Sequence, residues 1–408
     1  MNWLFVHRRF PGQFVHVVRY LAAKGDRVIF ISHDDGQISR IRELSSLQRI
    51  LYRTPKRRKP AHKYLARMTQ CVINGEAVAA AAERLRKGGF RPDLIVGHSG
   101  WGELLYLKDV WPNTPLLGYF EFFWRSSGYN IGFDKEFPVT PAARVRTTNA
   151  VDLISLEAVD RGLTATEFQR STYPECYRRR LSVIHEGVDT ALHQPDAKAQ
   201  VWLNNGVSLT RDNDVITYCA RSLEPHRGFH IFMRALPRIL HRNSNAHVLI
   251  VGGDEVCYDS RPSGFKTYRE QLLAEVGDQL DLDRVHFVGQ LNYHRYRAVL
   301  QVSSVHVYLT YPFVLSWSLI EAMACGCLIV GSKTPPVEEV VSDGRNGLLV
   351  DFMDHESLAD RVNLALRSPQ RFGAIRTAAR EVALKRFDLR TVCLPAQLRL
   401  FNRLASRK

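Results

Sequence analysis

The sequence predicts an α/β protein made of two doubly wound parallel-sheet domains facing a cleft. Three observations carry this. Short runs rich in Val, Ile and Leu alternate with stretches whose apolar residues recur every three to four positions. Such runs are continuous rather than alternating because a parallel strand is covered by helices on both faces. The pattern lapses near residue 190 and restarts after residue 210, and 408 residues suffice for two or three domains of about 150 residues each.

The elements follow in order. Trp3–Val6 is the first strand, Pro11-Gly12 a turn, and Phe14, Val17, Val18 and Leu21 the apolar face of a helix that Gly25 ends. The strand Val28–Ile31 comes next, then a helix through Val78–Leu85 and the strands Leu94–Val96 and Pro115–Tyr119. The second series opens with strand Val215–Cys219, helix Phe229–Leu240 and strand His247–Val251 before Gly252-Gly253. Strand Val285–Val288, helix Tyr296–Val302 and strand Val305–Leu309 follow, then helix Leu319–Ala324, strand Leu328–Gly331 and a helix around Val337–Val341. The expected domains are residues 1–190 and 206–389, with a polar, poorly periodic linker over 191–205. Leu394, Leu398, Phe401 and Leu404 lie at helical spacing, so the segment 390–408 is expected to pack back on the first domain.

Composition narrows the function. No apolar run reaches the roughly 18 residues that span a bilayer, and Met1-Asn2 leads into a strand without a basic leader and cleavage site. Seven scattered cysteines predict neither a disulfide framework nor a metal site, so a cytoplasmic, reducing location is expected. The 56 Lys and Arg exceed the 41 Asp and Glu, leaving +15 and favouring anionic partners. Arg53–Lys63 holds six basic residues and no acidic one. It reads either as a solvated loop or as a peripheral contact with the anionic inner face of a membrane. No helix-turn-helix, zinc-finger or aromatic RNA-binding signature accompanies the charge, so nucleic acid is not an expected partner.

Several chemistries lack their motifs. There is no G-x-G-x-x-G after the first strand of either domain, no P-loop, no H-E-x-x-H and no G-x-S-x-G. Asp281-Leu-Asp283 precedes a strand and so lies at the wrong sheet end for a ligand, since such sheets bind at the carboxyl ends of their strands. That rule directs attention to His7–Gly12, His98–Glu103, Glu121–Trp124, Arg221–Gly228, Gly252–Glu255, Gly289–Asn292 and Tyr311–Ser318. In the last, a strand gives way to a polar loop and a helix start, where free N–H groups and the positive dipole end favour phosphate. Glu321, one turn in, is placed to accept hydrogen bonds from two sugar hydroxyls.

These residues carry a resemblance. Glu321-Ala-Met-Ala-Cys-Gly326 is similar to the donor-site signature of retaining glycosyltransferases with the GT-B fold, in the large family four group. Thr334–Val350, Val183–Asp189 and Arg221-Ser-Leu-Glu-Pro-His-Arg-Gly228 look like further blocks of that family. Arg9-Phe-Pro-Gly-Gln-Phe14, His98-Ser-Gly-Trp-Gly-Glu103 and Tyr119-Phe-Glu-Phe-Phe123 resemble a bacterial subgroup that builds surface polysaccharide. The resemblance implies two Rossmann-like domains and transfer of a sugar from a UDP-, GDP- or ADP-linked donor to a glycan or lipid-linked acceptor, without metal or cofactor. It implies catalytic roles for His98, Arg221, Arg227 and Glu321. Donor contacts are implied from Gly12, Gly252, Gln290, Leu291, Ser316, Trp317, Ser318, Leu319 and Glu321. Glu103 and Glu121 are the acceptor-side candidates.

The chain departs from the family pattern in three places. Phe313 stands where the family has its first Glu, Ser316 replaces a Gly, and Arg227 replaces a Lys one position later than usual. His226 holds the unshifted position, so His226 and Arg227 both remain candidates for the phosphates, with Arg227 favoured because Gly228 follows it. A nucleotide-sugar epimerase or sugar synthase on the same fold, and a binding subunit without transfer activity, are the alternatives.

Overall fold

The computed structural model describes residues 1–34, 46–55 and 60–406. The chain forms two compact units, Met1–Gly187 with Arg390–Lys408, and Val188–Leu389. Each is a parallel sheet wrapped by helices.

The first unit's strands are β1 (Asn2–Val6), β2 (Arg27–His33), β3 (Leu47–Tyr52), β4 (Leu94–His98), β5 (Leu116–Tyr119), β6 (Arg161–Thr164) and β7 (Leu181–Val183). Their order is β3-β2-β1-β4-β5-β6-β7, all parallel. Side chains alternate between two layers, as a period of two requires. Leu4, Val6, Ile29 and Ile31 enter one core layer, and Trp3, Phe5, Val28 and Phe30 the other. The helix Leu394–Ala405 supplies Leu400, Phe401 and Leu404 to the second layer, with the Phe401 ring 6.3 Å from those of Trp3 and Phe5. Burying such a Phe contributes about 1.5–3 kcal/mol. The helix expected through Val78–Leu85 extends over Ala66–Lys87.

The second unit holds β8 (Gln200–Trp202), β9 (Ser208–Thr210), β10 (Val215–Ser222), β11 (His247–Gly253), β12 (Val285–Gly289), β13 (Val305–Tyr308), β14 (Leu328–Ser332) and β15 (Leu348–Val350). Six of them form a parallel sheet ordered β12-β11-β10-β13-β14-β15, while β8 and β9 make an antiparallel hairpin. The segment 191–205, expected as a linker, lies inside this unit, where Ala199 and Val201 enter the core and β8 pairs with β9. A strand of three residues is too short to register as periodicity.

In both sheets the first strand is flanked by the second and the fourth of its series. Strand order therefore reverses between β1 and β4, and again between β10 and β13. Loops leaving such neighbours diverge and open a crevice at their carboxyl ends. Residues 7–14 and 99–101 follow β1 and β4, and residues 223–228 and 309–316 follow β10 and β13.

Candidate active site

The second unit's crevice is built around the turn after β10. Glu224 is fully buried, and its Oε2 accepts the backbone N–H groups of Cys257, Tyr258 and Asp259 at 3.0, 3.0 and 3.2 Å, pinning the loop after β11. Asp259 accepts the His226 N–H at 2.7 Å. The turn closes at Gly228, whose φ of +69° is left-handed and whose Cβ, if present, would collide with Leu309. Only glycine fits there.

This turn aims Arg227 inward. Its Nη1 donates to Thr310 Oγ1 and to the Val314 carbonyl, both at 2.9 Å. The guanidinium lies 5.8 Å from the Tyr258 ring centre and 5.6 Å from that of Phe313. Where the related motif has a carboxylate, this chain thus has an aromatic face, and Phe313 is buried at 2% exposure. A cavity of about 30 Å³, room for one water or one phosphate oxygen, is lined by Arg221, Arg227, Tyr308 and Ser316 among others.

Ser316 caps the helix Trp317–Ala324: its Oγ accepts the Ser318 N–H at 3.3 Å, and its own N–H donates to the Tyr308 hydroxyl at 2.8 Å. The Arg227 guanidinium, residue Arg221 and a capped helix start therefore line one cavity at the strand-order reversal. His226 is not on that cavity. Its ring is buried among Tyr258, Tyr311 and Phe313, with centres 5.2, 4.8 and 4.6 Å away. Burial lowers its pKa against the raising effect of Asp259, so the charge for an anion comes from the arginines.

Glu321 is buried, and both its oxygens are engaged. Oε1 accepts the Tyr293 hydroxyl at 2.9 Å and Oε2 the Tyr296 hydroxyl at 2.7 Å, while His193 Nε2 lies 3.8 Å from Oε1. Tyr293 and Tyr296 share one face of the helix Tyr293–Val302, three residues apart.

The other expected donor residues divide by burial. Trp317 and Ser318 lie in the first turn beside the cap, whereas the Leu319 side chain is fully buried in the core and leaves only backbone to offer. A Cβ on Gly252 would meet Leu223 Cδ2 at 2.7 Å, so close packing explains that glycine. Gln290 and Leu291 follow β12, two strands from β10; Gln290 is exposed and lies 3.4 Å from Glu255, and Leu291 packs on the core. Asp281 and Asp283 are exposed in the turn before β12, with Asp281 paired to Arg284 at 2.7 Å.

The first unit's crevice gathers His7, Gly12, Gln13, His98, Trp101 and Glu121. His98 Nδ1 accepts the Gly100 N–H at 2.9 Å, which leaves the ring proton on Nε2. That nitrogen is buried without a hydrogen-bond partner, 3.9 Å from Glu121 Oε2. The ring stacks on Trp101 at 4.4 Å and lies 5.3 Å from His7. Burial, with His7 and Arg67 adding to it, holds the imidazole well below its usual pKa, so it is neutral. His7 Nε2 meets Gln13 Oε1 at 2.7 Å, and Gln13 Nε2 donates to Glu121 Oε1 at 3.3 Å. Gly12 has φ +55°, and a Cβ there would sit 2.5 Å from the His7 ring. The aromatic run beginning at Tyr119 is mostly core, with Phe120, Phe122 and Phe123 buried.

Glu103 is not placed to touch an acceptor. It is fully buried, and its Oε1 accepts the Tyr52 hydroxyl at 2.8 Å. The sequence shows a carboxylate after a strand, but not that the loop folds inward. Burial pushes the carboxyl up from 4.5 to about 7, against the lowering effect of Tyr52. A group with a raised folded pKa binds its proton more tightly in the folded state. The stability this gives is therefore lost as pH rises from about 4.5 to about 7. Glu103→Gln is expected to remove about 2–3 kcal/mol of that slope. Denaturant titrations of both proteins at pH 5 and pH 8 check this, with the variant gaining on the wild type at the higher pH.

Residues 24–192 match the family model described as glycosyl transferase family 4 group, and residues 202–382 match glycosyl transferases group 1. The chain is 25% identical over 273 residues to the GDP-mannose-dependent alpha-(1-6)-phosphatidylinositol monomannoside mannosyltransferase of Mycolicibacterium smegmatis, covering 65% of each. It is 26% identical over 257 residues to the D-inositol 3-phosphate glycosyltransferase of a Nocardioides species, covering 58% of this chain and 53% of that protein. The chain thus spans between half and two thirds of the length of these relatives. Among solved structures, sucrose-phosphate synthase from Thermosynechococcus elongatus superposes with a TM-score of 0.73 at 21% identity, covering 100% of both chains. Anabaena HepE in complex with UDP does so with a TM-score of 0.70 at 16% identity, covering 98% of this chain and 99% of that one. Both of its units are accounted for, the first by one family model and the second by the other, and the chain belongs to the glycosyltransferase family 4 group, on the GT-B fold.

Proposed function

We propose that the chain is a retaining, metal-independent glycosyltransferase. It moves a sugar from a nucleotide-diphosphate sugar to a glycan or lipid-linked saccharide, in bacterial polysaccharide assembly on the cytoplasmic side. One observation carries the reading: Arg221, Arg227 and the helix cap Ser316 line one cavity where strand order reverses in the second unit. When the bond between sugar and diphosphate breaks, negative charge grows on the phosphate. Fixed cations and helix-start amides stabilise that charge without reorganising. Glu321 takes the ribose hydroxyls, Ser316–Leu319 and Gly252 serve the diphosphate, and Gln290 and Leu291 the base through backbone groups. In the first unit, Gly12 and His98 serve the donor's reacting end and Glu121 the acceptor.

Structures of Anabaena HepE with UDP and with UDP-glucose support a nucleotide-sugar donor, while the mycobacterial mannosyltransferase uses GDP-mannose. Product analysis tests the reaction. Transfer is expected to continue in excess EDTA, and the product anomer, read by NMR, to match the donor's. Loss of transfer with EDTA, or an inverted anomer, would contradict the corresponding half of the reading.

No helix of the described residues is long and apolar enough to cross a membrane. The basic segment Arg53–Lys63 is the proposed peripheral contact, although its residues 56–59 lie outside those described. Each basic residue near an anionic surface contributes about 1 kcal/mol. Anionic vesicles are therefore expected to co-sediment the protein at low salt, and neutralising the segment's six cations to abolish this; equal sedimentation would remove the membrane contact.

A further inference from the structure

At the opposite end of the second unit's sheet, before β10 and β13 begin, lies a cavity of about 320 Å³. Arg211, Asp212 and Asp214 lead into β10, Ser303 and Ser304 lead into β13, and Arg376 comes from the first turn of the helix Gly373–Phe387. The sheet is parallel, so this is its amino edge. β10 has eight residues at about 3.3 Å each, which puts the cavity roughly 25 Å from Arg221 and Ser316.

Arg376 is the unusual group. Its Nη2 donates to the Ser304 carbonyl at 2.6 Å, while its Nε is buried without a partner. Among the described residues, no carboxylate forms an ion pair with Arg376 or with the exposed Arg211 on the same wall. Burial lowers the Arg376 pKa; the Cys327 thiol opposes this and the like charge of Arg211 adds to it. The positive end of the helix dipole falls on the same turn. A guanidinium left half-buried and unpaired is costly, and an anion would offset that cost.

The remaining lining defines the anion. Ser303 Oγ is engaged with Thr217 at 2.7 Å, and Ser304 Oγ with Asn213 O and Val215 N at 3.0 and 3.1 Å, so the free side-chain donors among the described lining residues are the Asn213 amide and the two arginines. The planar forks of the arginines suit phosphate oxygens. Asp212 and Asp214 repel a bare anion but accept hydrogen bonds from hydroxyls. We propose that this cavity is a second binding site for a small, hydroxyl-bearing phosphate monoester, held by its phosphate on Arg376 and Arg211.

Thermal shifts with glucose 6-phosphate, glycerol 3-phosphate and inorganic phosphate, against chloride of equal ionic strength, test this on the full chain. Glucose 6-phosphate is expected to stabilise the wild type and Arg227→Gln alike. The shift should vanish in Arg376→Gln and require about tenfold more ligand in Arg211→Gln. Should Arg376→Gln fail to fold, the exposed Arg211 still gives the answer. An unchanged shift in either cavity variant, loss only in Arg227→Gln, or no shift at all would overturn the proposal. A stronger response to inorganic phosphate would overturn the monoester assignment.

Discussion

Replacing Arg227 with alanine is expected to lower donor turnover about 10²- to 10³-fold, the loss found when one preorganised group facing a developing charge is removed. It is also expected to cost about 2–3 kcal/mol of stability. Two hydrogen bonds and two cation–aromatic contacts disappear, and Thr310 and Val314 lose their donor. Arg227→Lys separates the two effects. The ammonium keeps the charge but cannot bridge Thr310 Oγ1, the Val314 carbonyl and a phosphate oxygen together, so a loss nearer tenfold is expected. Initial rates at saturating acceptor, with a melting curve for each variant, give both numbers. Full turnover in a folded Arg227→Ala protein would reduce this residue to a prop for the aromatic cluster. In place of the related motif's carboxylate, Phe313 offers its ring face to the same cation.

Glu321→Gln is expected to raise the donor KM about 10- to 100-fold, since hydrogen bonds to a charged acceptor are worth about 1.5–3 kcal/mol. It keeps the shape of the side chain and one oxygen for the tyrosines. Tyr293 sharpens the test, because its hydroxyl holds Glu321 Oε1 where a ribose hydroxyl would have to sit, and its side chain is half exposed. Removing that hydroxyl in Tyr293→Phe frees the carboxylate and is expected to lower the donor KM severalfold. A KM unmoved by either change would take Glu321 out of the donor site.

How much of this the sequence revealed follows from the range of each interaction. Strand runs and helix faces are local, so the central strands of both sheets were legible from apolar spacing, while β3, β6, β7 and β15 were not; the rule for the carboxyl ends then pointed to the turns after β10 and β13. Contacts between turns were not legible. Nothing in the spelling of Glu224 announces that it pins residues 257–259, or that Asp259 draws His226 away from the Arg221–Arg227 cavity. Tyr293 and Tyr296 stood three apart on one helix face, but their partner lies 28 and 25 residues on. His7 and Gln13 connect to Glu121 across more than a hundred residues. Glu103 shows the converse, a residue rightly placed after a strand but turned into the core.

The proposed nucleoside-diphosphate site of the second unit is formed by Arg221, Arg227 and Glu321. Its most direct test is a thermal-shift screen of the full chain against UDP, GDP, ADP, CMP and dTDP and their sugar conjugates, with no metal added. A ligand at 100 times its dissociation constant adds roughly 2.7 kcal/mol. One nucleoside diphosphate is expected to stand out, and its shift to be lost in Arg227→Ala. A flat screen of folded protein would contradict the assignment.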